Sequence, residues 1–114
     1  MSATERVTAD QLESRWAGAE ERVPESMDEF HGPTSGTVAL PGWLAWSGMT
    51  EFEVHDRQDR VHMYQILMDV GQRRDVVRYM DAAFLRQDWA LLRRLIPREL
   101  SRIWEARLPL GAAA

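Results

Sequence analysis

The spacing of apolar positions changes several times along the chain, and each change predicts a different element. Leu12, Trp16, Ala19 and Val23 recur at four, three and four residues, the step of one helix face. Thr8 and Gln11 have the spacing of a capping box, Val7 and Leu12 are placed to staple it, and Pro24 marks the stop. Glu13, Arg15, Glu20, Glu21 and Arg22 occupy the other faces. The pattern therefore predicts a separate N-terminal amphipathic helix within residues 1–23, with an apolar stripe no wider than a coiled-coil seam.

Residues 24–42 lose this periodicity. Pro24, Pro33, Pro41, Gly32, Gly36 and Gly42 are interspersed with Ser26, Thr34, Ser35 and Thr37, a composition that punctuates structure and predicts an acidic linker. Within it Met27 and Phe30 stand three apart among Glu25, Asp28 and Glu29, as either solvated loop or a short piece that turns helical against a surface. From Trp43 to Val54 the spacing becomes alternating. Trp43, Leu44 and Trp46 precede Ser47-Gly48, and Phe52 and Val54 alternate with Glu51 and Glu53, which predicts a short β-hairpin with one packed and one wet face.

The remainder reads as helix. Asp56 or Asp59 can cap a helix to about Val70 that carries Val61, Tyr64, Leu67 and Met68 on one face, with Gly71 at its stop. Asp75–Met80 predicts a short second helix, and Asp81 caps a third bearing Phe84 and Leu85. Trp89, Leu92 and Leu95 continue the periodicity, and Pro97 suits the first turn of a last helix with Leu100, Ile103 and Trp104, ended by Pro109. The expected fold is mainly α: a small irregular helical domain over 43–110, preceded by the separate helix and the linker, and followed by a small-residue tail at 111–114.

Composition narrows the chemistry. With no cysteine there is no disulfide, thiolate nucleophile or sulfur-ligated zinc, and no apolar stretch approaches bilayer length, so a cytoplasmic protein without a membrane anchor or signal peptide is expected. All 14 basic residues are arginine, and their distribution is uneven. Residues 1–57 hold eleven acids against four arginines, minus seven, whereas 58–114 hold seven acids against ten arginines, plus three, within a net charge of −4. This permits the acidic half to fold over the basic half, or each half to meet its own partner.

No motif specifies catalysis. His31, His55 and His62 are not spaced as metal ligands, and the dispersed glycines and absent lysine leave no P-loop. Ser47 lacks the glycines of a nucleophile elbow. Asp69, Asp75, Asp81 and Asp88 read as helix-capping groups rather than acid–base pairs. No cofactor and no metal are expected. Arg94, Arg98 and Arg102 fall at helical intervals, with Arg73, Arg74, Arg78 and Arg86 upstream, as a phosphate-binding face would; Glu99, Glu105 and the negative overall charge argue against it. Among five tryptophans, Trp89 and Trp104 lie on core-like faces, whereas Trp16 sits on a detached stripe and is the leading interface residue.

Trp46-Ser47-Gly48, Tyr64-Gln65-Ile66-Leu67 running to Gly71, and Trp89, Leu92, Leu95 and Pro97 leading to Trp104-Glu105 resemble small helical proteins of bacterial toxin–antitoxin operons, found beside nucleotidyltransferase-like toxins. The resemblance covers about half the chain, at packing and capping positions, specifies no active site, and implies an antitoxin-like or regulatory partner. The expected function is a non-enzymatic protein-interaction module that docks through Leu12, Trp16, Val23, Met27 and Phe30. The alternative is a nucleic-acid-binding regulator using Arg94, Arg98 and Arg102.

Overall fold

A computed structural model describes residues 16–45 and 48–110. The fold is mainly helical with one small antiparallel sheet, as the periodicity predicts. A 3-10 turn at Ala19–Arg22 and another at Met27–Glu29 lead into strand β1 (Thr37–Ala39), which pairs with β2 (Glu51–Glu53). Four helices follow: α1 (Arg57–Val70), α2 (Arg73–Tyr79), α3 (Ala82–Leu95) and α4 (Arg98–Arg107).

The helix boundaries are set by short polar side chains and close backbone approaches. The Asp56 carboxylate accepts from the backbone N–H groups of Gln58 (2.9 Å) and Asp59 (3.4 Å), so Asp56 caps α1; Asp59 instead accepts from the N–H of Glu53 at 2.9 Å. Gly71 ends α1 in an extended conformation. A Cβ there would lie 2.6 Å from the Leu67 carbonyl oxygen, so crowding rather than handedness selects glycine. Asp75 is not an N-cap as expected but the third helical residue of a capping box in which its side chain accepts from the Gln72 N–H at 2.8 Å. Asp81 caps α3 through the Phe84 N–H, and its own N–H donates to the Tyr64 hydroxyl, both at 2.9 Å. This buried phenol is held above its ordinary pKa, chiefly by desolvation.

The hairpin forms with a different first strand. β2 behaves as predicted, with Phe52 and the following Val54 buried and Glu51 and Glu53 exposed, but its partner is Thr37–Ala39 within the expected linker, in register Val38 opposite Phe52. Trp43, Leu44 and Ala45 form a turn in which the N–H groups of Leu44 and Ala45 donate to the Pro41 carbonyl. Trp46 and Ser47 lie outside the described residues. Val38 and Leu40 bury their side chains, which is why β-structure wins over the local Pro/Gly signal.

The rest of 24–42 is also folded onto the helices. His31 and Gly32 donate their backbone N–H groups to the Val77 and Met80 carbonyls, both at 2.9 Å, closing the end of α2. The chain approaches so closely that a Cβ on Gly32 would lie 2.4 Å from the Tyr79 carbonyl carbon. Upstream, Arg22 donates to the carbonyls of Met68 and Asp69 at the end of α1, at 3.3 and 3.4 Å. The continuous helix expected through Val23 does not form over its described part, because Gly18 takes a left-handed φ of 79° and only a 3-10 turn follows.

At the centre lies an ion pair the apolar pattern does not reveal. Asp88, completely buried on α3, accepts from Arg60 on α1 through both oxygens, at 2.6 Å from Nε and 2.9 Å from Nη2. Arg60 directs its third nitrogen, Nη1, at the Val54 carbonyl at 2.9 Å, and its guanidinium lies 4.0 Å from the Phe84 ring centroid. Arg57 adds a 3.2 Å bond to the same carboxylate. Asp88 is therefore no helix cap, as its sequence position suggests, but the counter-ion that makes burial of Arg60 tolerable.

Removing one member strands the other. Asp88→Ala is expected to cost about 3–5 kcal/mol in urea denaturation, whereas the paired apolar replacement Arg60→Met with Asp88→Leu recovers most of it. Equal losses in the single and the paired variant would show that charge compensation is not what the site supplies. Gly32→Ala is expected to lower the unfolding free energy measured in urea as well, by about 1–3 kcal/mol, because the backbone on both sides must move.

Candidate interaction surfaces

The residues expected to anchor a partner are mostly part of the protein's own core. Val23 is fully buried and Trp16 and Phe30 are 9% and 8% exposed. Phe30 stacks on Trp104 with centroids 6.4 Å apart, the Arg22 guanidinium lies 6.0 Å from the Trp16 ring, and Met27 is half-buried against the same core. Leu12 lies outside the described residues. This corrects the reading of Trp16, Val23 and Phe30 as free anchors. The N-terminal stripe looks detached because α2 and α4, which contact the turn at Ala19–Arg22, come from residues 50 or more positions away in sequence.

The charge asymmetry is resolved in the same way. Glu29 receives two bonds from Arg73, at 2.7 and 3.2 Å, and Glu25 faces Arg107 at 3.8 Å, so part of the acidic half folds over the basic half. The Arg73 hydrogen bond holds the Glu29 carboxyl below its ordinary pKa.

The polar residues suspected of chemistry are dispersed. His31, His55 and His62 are all exposed, and among the described residues no group of three or more histidine, cysteine, aspartate or glutamate side chains could hold a metal. An open groove of about 320 Å³ between α1 and the α3–α4 junction is lined by His62, Ile66, Asp69, Leu95, Pro97 and Leu100, among others.

Two exposed surfaces have character. The first surrounds the β1–β2 connection. Trp43 is 59% exposed and Met49 42%, whereas the other described tryptophans, Trp16, Trp89 and Trp104, are buried. The Pro41 turn explains this, because it directs Leu44 and Ala45 into the core and leaves Trp43 outside. Beside it, β1 has an open edge. Backbone bonds join Gly36 to Val54 and Leu40 to Thr50, so the alternation of an antiparallel ladder turns the backbone groups of Thr37 and Ala39 away from β2. No described residue pairs with them. On the opposite edge, the Glu53 N–H is covered by Asp59.

The second surface is the outside of α3 and α4. Arg94, Arg98 and Arg102 are all exposed and form no ion pair with described residues. They do not share one helical stripe, because the chain breaks at Ile96–Pro97; Arg98 and Arg102 share a face of α4, and Arg94 belongs to α3. Glu105 joins the two helices, accepting from Trp89 Nε1 and from Arg93 Nε, both at 2.7 Å. No family model, curated protein or solved structure matches this chain.

The Glu105 carboxyl is held below its ordinary pKa of 4.5, first by the Arg93 hydrogen bond, with Trp89 adding and burial opposing. A carboxylate whose folded pKa is depressed stabilises the fold above its ordinary value, and that stability is lost as pH falls through the folded value. Glu105→Gln is therefore expected to destabilise the protein at neutral pH, with the difference from wild type shrinking as pH falls below 4.5 and through the depressed folded value. Denaturant titrations across that range measure it, and a gap independent of pH would remove the ion pair as its cause.

Proposed function

We propose that this chain is a non-enzymatic protein-interaction module, antitoxin-like or regulatory in kind, whose docking surface centres on Trp43. The observation that carries the reading is the exposure of this one tryptophan in a fold that buries every other described tryptophan. A large aromatic left in water loses the free energy that burial in a partner would return, and tryptophan is prominent among residues that dominate protein interfaces. Met49, on the same connection, adds a flexible apolar side chain.

The open edge of β1 supports the same surface. Thr37 and Ala39 offer unpaired backbone donors and acceptors on a strand without charged residues, and these are the groups an extended partner segment bonds when it extends a sheet. The resemblance to proteins of toxin–antitoxin operons is consistent with a protein partner but names none. The partner anchors thus shift from the buried Trp16, Val23 and Phe30 to Trp43 and Met49, on the side of the fold that carries β1.

Trp43→Ala is expected to weaken the complex by 100-fold or more while leaving the melting temperature within a degree or two, since the side chain supports little of its own core. Affinity purification from the native host, with quantitative mass spectrometry of the wild-type and variant proteins, identifies the partner and measures the loss. Equal recovery of a stoichiometric partner by both proteins would sink the proposal.

A further inference from the structure

The sequence argument against a phosphate-binding face is that acids interrupt the basic helices, and the fold removes most of that objection. Between residues 82 and 107 the exposed positions are Ala83, Arg86, Gln87, Ala90, Arg93, Arg94, Leu95, Pro97, Arg98, Arg102 and Ala106. Five are arginine and none is acidic. The three acids of this stretch are withdrawn: Asp88 is buried beneath Arg60, Glu105 is half-buried under Arg93 and Trp89, and Glu99 is half-buried in the first turn of α4. Only Arg93 of the five arginines has a carboxylate partner among the described residues. The exposed carboxylates Glu20, Glu21, Glu25, Asp28, Glu51, Glu53 and Asp56 all belong to the other half of the chain.

We infer that the outer faces of α3 and α4 bind the phosphate backbone of double-stranded nucleic acid without reading its sequence, through Arg86, Arg93, Arg94, Arg98 and Arg102. Arginine pairs phosphate with a planar fork of donors, and these side chains span about 12 Å along α3 and about 6 Å along α4 at 1.5 Å per residue. Ala83, Ala90 and Ala106 are the small residues exposed among them, and Leu95 is the one large apolar side chain exposed beside them. The surrounding chemistry narrows the ligand. Gln87 is the one exposed amide on this face, too little for reading base edges, and the contacts remain of the positioning kind. No aromatic residue of the two helices is exposed, since Trp89 and Trp104 are buried and Phe84 is half-buried against the Arg60 guanidinium; the stacking platforms that hold unpaired bases are therefore missing from the face.

The test is fluorescence anisotropy of a labelled 20-base-pair duplex of arbitrary sequence, titrated with the full chain between 50 and 200 mM sodium chloride. With five phosphates neutralised, affinity is expected to fall roughly 500-fold over that range, and the double variant Arg98→Gln with Arg102→Gln is expected to flatten the slope of log affinity against log salt by about 1.8. A duplex of unrelated sequence should bind within a few-fold. Circular dichroism of the variant checks that these exposed substitutions leave the fold intact, and Trp43→Ala, on a different surface, should bind the duplex as wild type does. Absence of duplex binding at 50 mM salt overturns the inference, as does a slope unchanged by the double variant. Tighter binding to poly-glutamate than to duplex at equal salt also overturns it, assigning the face to an acidic protein instead.

Discussion

A charge cannot be buried without its counter-charge, and this constraint organises the centre of the molecule. Arg60 and Asp88 are brought to hydrogen-bonding distance from α1 and α3, and each nitrogen of the guanidinium makes a bond, two to the carboxylate and one to the Val54 carbonyl. Apolar side chains tolerate small slides of one helix against another, but a bidentate ion pair does not, since displacement leaves buried donors unsatisfied. The pair thus holds α1 and α3 in one relative placement and ties the end of β2 to both, with Phe84 covering the guanidinium. The same pairing withdraws the only carboxylate of α3 from the surface, so an interaction inside the core determines the charge outside it.

The N-terminal part of the described chain acts as a strap. Arg22 covers carbonyls at the end of α1, His31 and Gly32 close the end of α2, and Glu29 pairs with Arg73 at the start of α2. Helix termini carry unsatisfied carbonyls, and a passing segment rich in turns can meet them where a regular helix, with its own amides already engaged, cannot. The Pro- and Gly-rich composition of residues 24–42 is therefore suited to contact with several helix ends at once.

The fold sorts its surface into unlike regions. One side presents an uncharged strand edge and an exposed tryptophan, where association would rest on backbone hydrogen bonds and apolar burial. The outer faces of α3 and α4 present arginine and alanine, where association would be long-ranged and sensitive to salt.

Much of the helical framework was legible because capping and periodicity are local. Asp56, Asp81, Gly71 and Pro97 mark boundaries by what they do to their immediate neighbours, and the faces of α1 and of Phe52–Val54 follow from periods of 3.6 and 2. What lay beyond the sequence depends on which distant residues meet. Val38 became a strand residue because Phe52 and the core lay opposite it, Phe30 became core because Trp104 of α4 stacked against it, and Asp88 became a counter-ion because Arg60 arrived from 28 residues away. Hydrophobicity specifies that a side chain is to be buried, not by whom. The sequence by itself determined the helices that follow Asp56 and marked their ends by local signals; only the tertiary structure decided that Trp43 rather than Trp16 faces water, and that Asp88 is turned inward and Glu105 is covered while Arg86, Arg93, Arg94, Arg98 and Arg102 stay exposed.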